Sequence, residues 1–180
     1  GEWVKFKGTM ASAETMLQNS KNNMQLDVEN ELDTRVQESI NLKKDANAKL
    51  PFTDEMSPAD SIGRITEYKE KVQAERARQD KLKAGLTIFN LEEPEYKEIS
   101  DIERDMGVLK DIWEVAVDWE AKWDAWKAGV FRTLETPQME TEAAIFLKRI
   151  GKLARTVKSL TRIGGWKCLD AIKNRVIQFQ

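Results

Sequence analysis

Histidine is absent from these 180 residues, and that single gap removes whole classes of chemistry. Catalytic triads, histidine-ligated zinc, the Glu-x-x-His di-iron pattern and imidazole general bases all need a side chain this chain lacks. Cys168 is the lone cysteine, so neither an internal disulfide nor a cysteine metal cluster can form, and a reducing compartment fits. No apolar run approaches the roughly 18–20 residues of a membrane span. The opening GEWVKFKG is followed by no apolar signal-peptide core, and no Asn-x-Ser/Thr acceptor occurs. With only 9 Gly and 4 Pro, and strand formers clustered nowhere, little interrupts segments dominated by Ala, Leu, Glu, Lys, Gln and Arg. Such segments favour helix throughout. The expected fold is all-α: an elongated bundle of about five helices with a long N-terminal antiparallel hairpin. No cofactor and no metal are expected.

Charge is balanced in total, at −2, but not along the chain. From Ile145 to Gln180 nine Lys/Arg face Asp170 alone, a net of +8, which leaves −10 for residues 1–144. That polarity either holds the two parts together or presents a basic face to an acidic partner. The candidate contact face is Lys148, Arg149, Lys152, Arg155, Lys158 and Arg162. No aromatic platform is interleaved with it, which argues against nucleic acid.

Residues 9–48 read as one long helix or two in series. Met10, Ala13, Leu17 and Met24 keep helical spacing, and Val28, Leu32, Val36 and Ile40 continue at steps of four, so the apolar face drifts around the axis. Pro51 and Pro58 break it, with Phe52 and Met56 packing the turn. A second helix starts at Ser57-Pro58 with Asp60 in its first turn, and Gly85 is the expected residue just past its end. Ile62, Ile65, Tyr68, Val72 and Leu82 form its narrow apolar stripe. The segment LTIFNLEEPEY (86–96) reads as a connector, and Pro94 opens a third helix ending near Lys127.

That third helix holds four of the six tryptophans. Leu109, Ile112, Ala116, Trp119, Trp123, Trp126 and Val130 recur at steps of 3 and 4, an a/d seam flanked by Trp113. Indoles at this spacing are either a core that clamps neighbouring helices or exposed interface anchors, and the register favours the core. A fourth helix opens at Thr136-Pro137, with Ile145, Phe146, Ile150, Leu153, Val157 and Leu160 on its apolar face. A fifth, WKCLDAIKNRVIQF, is expected to bury Trp166, Leu169, Ile172, Val176 and Phe179. Gly151-Lys152 is not a phosphate loop, because Phe146 and Leu153 stand where Gly and Ser/Thr are required. Glu92-Glu93 is a solvated pair. Cys168 has Lys167 beside it, but a buried thiol on the fifth helix is the simpler account.

Residues 88–180 resemble the part of a dynein heavy chain where the tail runs into the linker. The resemblance rests on an ordered set: IFNLEEPEY (88–96), LKDIW (109–113), WEAKWDAWKAGVFRTL (119–134), METEAAIFLKRIGKLART (139–156) and WKCLDAIKNRVIQF (166–179). WKAGVF and METEAA are closer to axonemal than to cytoplasmic heavy chains. LTRIGGW departs from the family by placing Gly164-Gly165 before the tryptophan, which bears on the geometry of the last joint.

The resemblance implies a non-catalytic mechanical segment of a microtubule motor. Residues 1–87 would be a tail hairpin and 88–180 the start of the linker, the lever lying across an AAA+ ATPase ring. Expected partners are that ring, intermediate or light chains, or another heavy chain, with no nucleic acid and no membrane. The expected location is cytoplasm and cytoskeleton, in the axoneme of a cilium or flagellum. The competing reading is a spectrin-like or coiled-coil scaffold that docks a partner protein on its first hairpin.

Overall fold

The computed structural model describes residues 1–129, 136–160 and 166–178. Five helices make it up: α1 (Glu2–Lys49), α2 (Pro58–Ile88), α3 (Lys97–Ala128), α4 (Thr136–Leu160) and α5 (Lys167–Ile177), and no strand occurs among the described residues. The fold is all-α. Val130, Arg162, Gly164-Gly165 and Phe179, all named above, lie outside the described residues.

The first region is unbroken: α1 is one helix starting at Glu2. It turns at Leu50–Ser57 into an antiparallel α2, as three cross-contacts show. Tyr68 Oη donates to Asp45 Oδ2 at 2.6 Å, Arg35 Nη1 to Glu75 Oε2 at 2.9 Å, and at the other end Gly85 lies against Val28. Ser57 caps α2 by accepting from the Asp60 N–H, and Pro58 takes the first helical position, where its missing N–H costs nothing.

Gly85 corrects the expected stop. It lies inside α2, and a Cβ built there would stand 3.1 Å from Val28 Cγ2, so the glycine serves close helix approach instead. Asn90 ends the helix, at φ 52. Its N–H donates to Thr87 O, and the Leu91 N–H to Leu86 O, the paired bonds of a Schellman stop. Residues 86–88 of the expected connector are therefore the last turn of α2, and α3 opens after Tyr96 rather than at Pro94.

The α2 stripe runs further than its apolar letters indicate. Ile65, Tyr68, Val72, Glu75, Gln79, Leu82 and Leu86 are all buried, and they recur at alternating steps of 3 and 4. Glu75 and Gln79 fill the gap because α1 meets them with Arg35 and Ser39. On α1 itself Arg35, Ser39 and Ala46 are the buried residues, while Val28, Leu32, Val36 and Ile40 are half-buried and Met10, Leu17 and Met24 exposed.

Helix α3 runs parallel to α1 and antiparallel to α2. Lys43 Nζ donates to Asp105 Oδ2 at 2.8 Å, and the Arg76 guanidinium grips both Glu103 carboxylate oxygens at 3.1 and 3.0 Å. Beyond Trp113 its partners become α4, antiparallel, and α5, parallel: Phe146 and Glu142 face Trp119 and Lys122, and Arg175 reaches Glu120. Two three-helix units thus share one spine, and a single hydrophobic cluster runs from Ala46 and Leu50 through α3 to Val157 and Val176.

Candidate functional site: an aromatic joint on the shared helix

The site is built where the two units meet on α3. Leu109, Ile112 and Trp113 are buried there. Trp113 donates its indole N–H to the Pro51 carbonyl at 3.0 Å, which satisfies the polar edge of a buried ring. One residue on, Phe52 meets Trp166 edge-on with ring centroids 5.0 Å apart. The Phe52 carbonyl then accepts from the Cys168 N–H at 3.1 Å. That bond occupies one of the donors a helix start leaves unpaired, so the α1–α2 turn caps α5. The turn is pinned from both sides.

Sequence reasoning placed Phe52 in the turn but missed its partners, because nothing in local spacing links residue 52 with residues 113 and 166. Cys168 is fully buried, and burial pushes its thiol up to about 12, which makes it structural and unreactive in the folded state.

Further along, Trp119 is the hub of an indole cluster. It is 6% exposed and meets Phe146 edge-on at 5.3 Å and Trp126 edge-on at 5.7 Å, while Trp123 stacks on it at 6.5 Å. Trp126 is also buried. Trp123 departs from the expected core: it is 37% exposed, with Lys127 Nζ 5.4 Å from its ring centroid. A repeat of 3.5 drifts on a helix of 3.6 residues per turn. As α3 exchanges α1 and α2 for α4 and α5, its buried arc rotates toward Trp119 and Trp126 and leaves Trp123 at the margin. Trp166 is half-buried. On α4, Ala143, Phe146, Ile150 and Val157 are buried, whereas Ile145, expected on that face, is exposed.

Charge does part of the joining. Arg149 pairs with Asp118 at 3.1 Å, Arg175 with Glu120 at 3.4 Å, and Lys122 with Glu142 at 3.0 Å, all between α3 and its later partners. The first two join exposed side chains and are worth little alone, whereas Lys122 and Glu142 are half-buried. Lys148, Lys152, Arg155 and Lys158 are exposed and form no ion pair among the described residues. Lys152 borders the cleft between α3 and α4, near Asp111 and Glu114.

A second polar cluster lies inside the first unit. The Arg35–Glu75 pair is nearly dry, with side chains 9% and 5% exposed, and beside it the Gln79 side-chain amide donates to Ser39 Oγ at 3.1 Å. Burial, then the charges of Glu93 and Glu75, hold the Tyr96 phenol above its ordinary range. Among the described residues no cluster of His, Cys, Asp and Glu could hold a metal ion, and no helix is long and apolar enough to cross a membrane.

Residues 99–180 match the family model of the dynein heavy chain, N-terminal region 2. Over all 180 residues the chain is 31% identical to dynein axonemal heavy chain 2 of Homo sapiens and 28% identical to its Mus musculus counterpart. Over 172 residues, 95% of the chain, it is 29% identical to the dynein-1-beta heavy chain of the flagellar inner arm I1 complex of Chlamydomonas reinhardtii. The chain spans 4% of the length of each of these relatives. It belongs to the dynein heavy chain family, as a segment of the N-terminal region and not of the ATPase domain.

Proposed function

We propose that this segment is the rigid joint by which the tail of an axonemal dynein heavy chain hands force to the linker. Residues 1–87 form the last tail hairpin and residues 88–180 the beginning of the lever. The parent motor works in the axoneme of a cilium or flagellum, where its AAA+ ring hydrolyses ATP. This segment performs no chemistry of its own, and its first partner is the rest of the heavy chain.

The observation that carries the reading is the shared spine. Load entering through α1 and α2 reaches α4 and α5 along one continuous helix, braced where Pro51 and Phe52 meet Trp113, Trp166 and Cys168. Interiors are close-packed and compress little, so such a junction transmits displacement rather than absorbing it. The test is motility of a purified heavy chain carrying Phe52→Ala with Trp166→Ala, and a second carrying Trp119→Ala. Reduced microtubule gliding velocity or stall force, with ATP hydrolysis by the ring retained, is the expected outcome. Unchanged velocity and force alongside a measurably softened bundle would reject the joint.

A further inference from the structure

The pair formed by α2 and α3 has two sides, and among the described residues α1 covers one of them. It meets Tyr68, Glu75 and Gln79 of α2 and Asp105 of α3. On the other side a groove of about 260 Å3 runs between the two helices, walled by Ile65, Lys69 and Val72 of α2 and by Glu103, Met106, Gly107 and Lys110 of α3. At about 100° per residue, Lys69 lies about 100° round α2 from Tyr68, and Gly107 about 200° round α3 from Asp105. The floor is apolar, since Ile65, Val72 and Met106 belong to the core. The rims are cationic. Lys69 is exposed and forms no ion pair among the described residues, and Lys110 reaches Glu114 at 3.7 Å. Glu103, the carboxylate among the lining residues, is already gripped by Arg76. Gly107 adds a notch. Glycine weakens a helix interior, and a Cβ built at 107 would meet nothing within 4 Å, so no contact in the fold explains it. Gly63 and Gly151 are equally open, but among the described glycines Gly107 is the one that lines this groove.

We propose that this groove docks an acidic amphipathic helix of another polypeptide. Its apolar side chains rest on the floor, its backbone comes close over Gly107, and its carboxylates sit between Lys69 and Lys110. Three observations select this occupant. First, Glu103, Met106, Gly107 and Lys110 fall at i, i+3, i+4 and i+7, the ridge against which a helix packs. Second, a glycine within that ridge admits a backbone and not merely a side chain, as Gly85 does for α1 beside Val28. Third, the rims decide the charge. A cation on each wall over an apolar floor repels a basic helix and favours an acidic one. That argues against the exposed half of α1 from a second copy, because residues 1–24 carry Lys5, Lys7 and Lys21 against Glu2 and Glu14.

The groove lies on the first unit and uses none of the residues that brace the joint, so its test stands apart from the motility result. The intact motor complex, isolated with its bound subunits, is treated with a carbodiimide, which couples lysine amines to carboxylates without a spacer, and the products are mapped by mass spectrometry. Lys69 and Lys110 should couple to Asp or Glu of another polypeptide, within a peptide whose apolar residues recur at steps of 3 and 4. Lys81, exposed on another side of α2, should not. Gly107→Leu, which fills the notch, should cut that coupling on the order of tenfold. The fold accommodates this substitution, because the new side chain meets no neighbour at its Cβ and leucine favours helix, so ATP hydrolysis and the protease resistance of the segment should be retained. Coupling of Lys69 and Lys110 to no other polypeptide, coupling only within the same heavy chain or to a second isotope-labelled copy, a coupled peptide without that spacing, or a yield indifferent to Gly107→Leu would each overturn the proposal.

Discussion

Truncating Trp119 to alanine removes the hub of the indole cluster, and the size of the loss follows from its surroundings. A buried indole takes about 200 Å2 out of water, worth about 5 kcal/mol at 25 cal/mol/Å2. Phe146 and Trp126 both meet it edge-on, contacts worth about 0.5–1.5 kcal/mol each beyond area. Partial collapse of the site returns some of this, and large-to-small aromatic substitutions in cores cost about 3–5 kcal/mol. At about 2–4 °C per kcal/mol for a chain of this length, the melting temperature should fall by about 10 °C. Trp123, on the same seam but 37% exposed, supplies the control: Trp123→Ala should cost about 1 kcal/mol or less. Thermal melts followed by circular dichroism, with urea midpoints alongside, measure both. A Trp119→Ala midpoint lowered by under about 2 °C, or equal damage from Trp123→Ala, would show that Trp119 is not the enclosed hub of the cluster.

In the first unit, Arg35→Met alone should destabilise by up to about 3–5 kcal/mol, because it leaves buried Glu75 only the exposed Arg78, at 3.5 Å, while Arg35→Met with Glu75→Leu should recover most of that; a double-mutant cycle in urea reads the difference. The Tyr68–Asp45 hydrogen bond makes stability depend on pH at both extremes. Tyr68, first through burial and then through its hydrogen bond to Asp45, is held well above its ordinary value, so its contribution is complete below about pH 10 and lost as pH rises further. Asp45 is held low, first by the Tyr68 hydroxyl and then by Lys49, so its contribution is present above about pH 4 and lost as pH falls through the lowered value. Tyr68→Phe should flatten both flanks of the melting temperature plotted against pH. Finally, Phe52→Ala should open the joint around Cys168 and speed its alkylation on the order of tenfold, whereas an unchanged rate would show that Phe52 does not brace α5.

Helix identity was legible locally. Ser57-Pro58, the steps of 3 and 4 on α3, and the apolar face of α5 follow from capping and periodicity, which depend on residues within a turn or two of each other. The α2 register was also written in the chain, but Glu75 and Gln79 hid it, since a polar residue signals burial only once its partner, Arg35 or Ser39, is in view. Gly85 misled for a related reason. Glycine marks a helix end or a close approach equally well, and Val28, far away in sequence, decides between them.

By itself, then, the sequence determined the all-α class, the near-positions of the helix ends and, through its ordered motifs, the dynein heavy chain family. The tertiary structure alone decided that α3 is a spine shared by two units, that Pro51 and Phe52 bind Trp113, Trp166 and Cys168 across the joint, and that Trp123 sits at the margin while Trp119 is enclosed. The physical reason is range. Caps and periodicity are short-range properties of the backbone, whereas burial depends on which helices arrive from elsewhere in the chain and on how the buried arc rotates as they are exchanged.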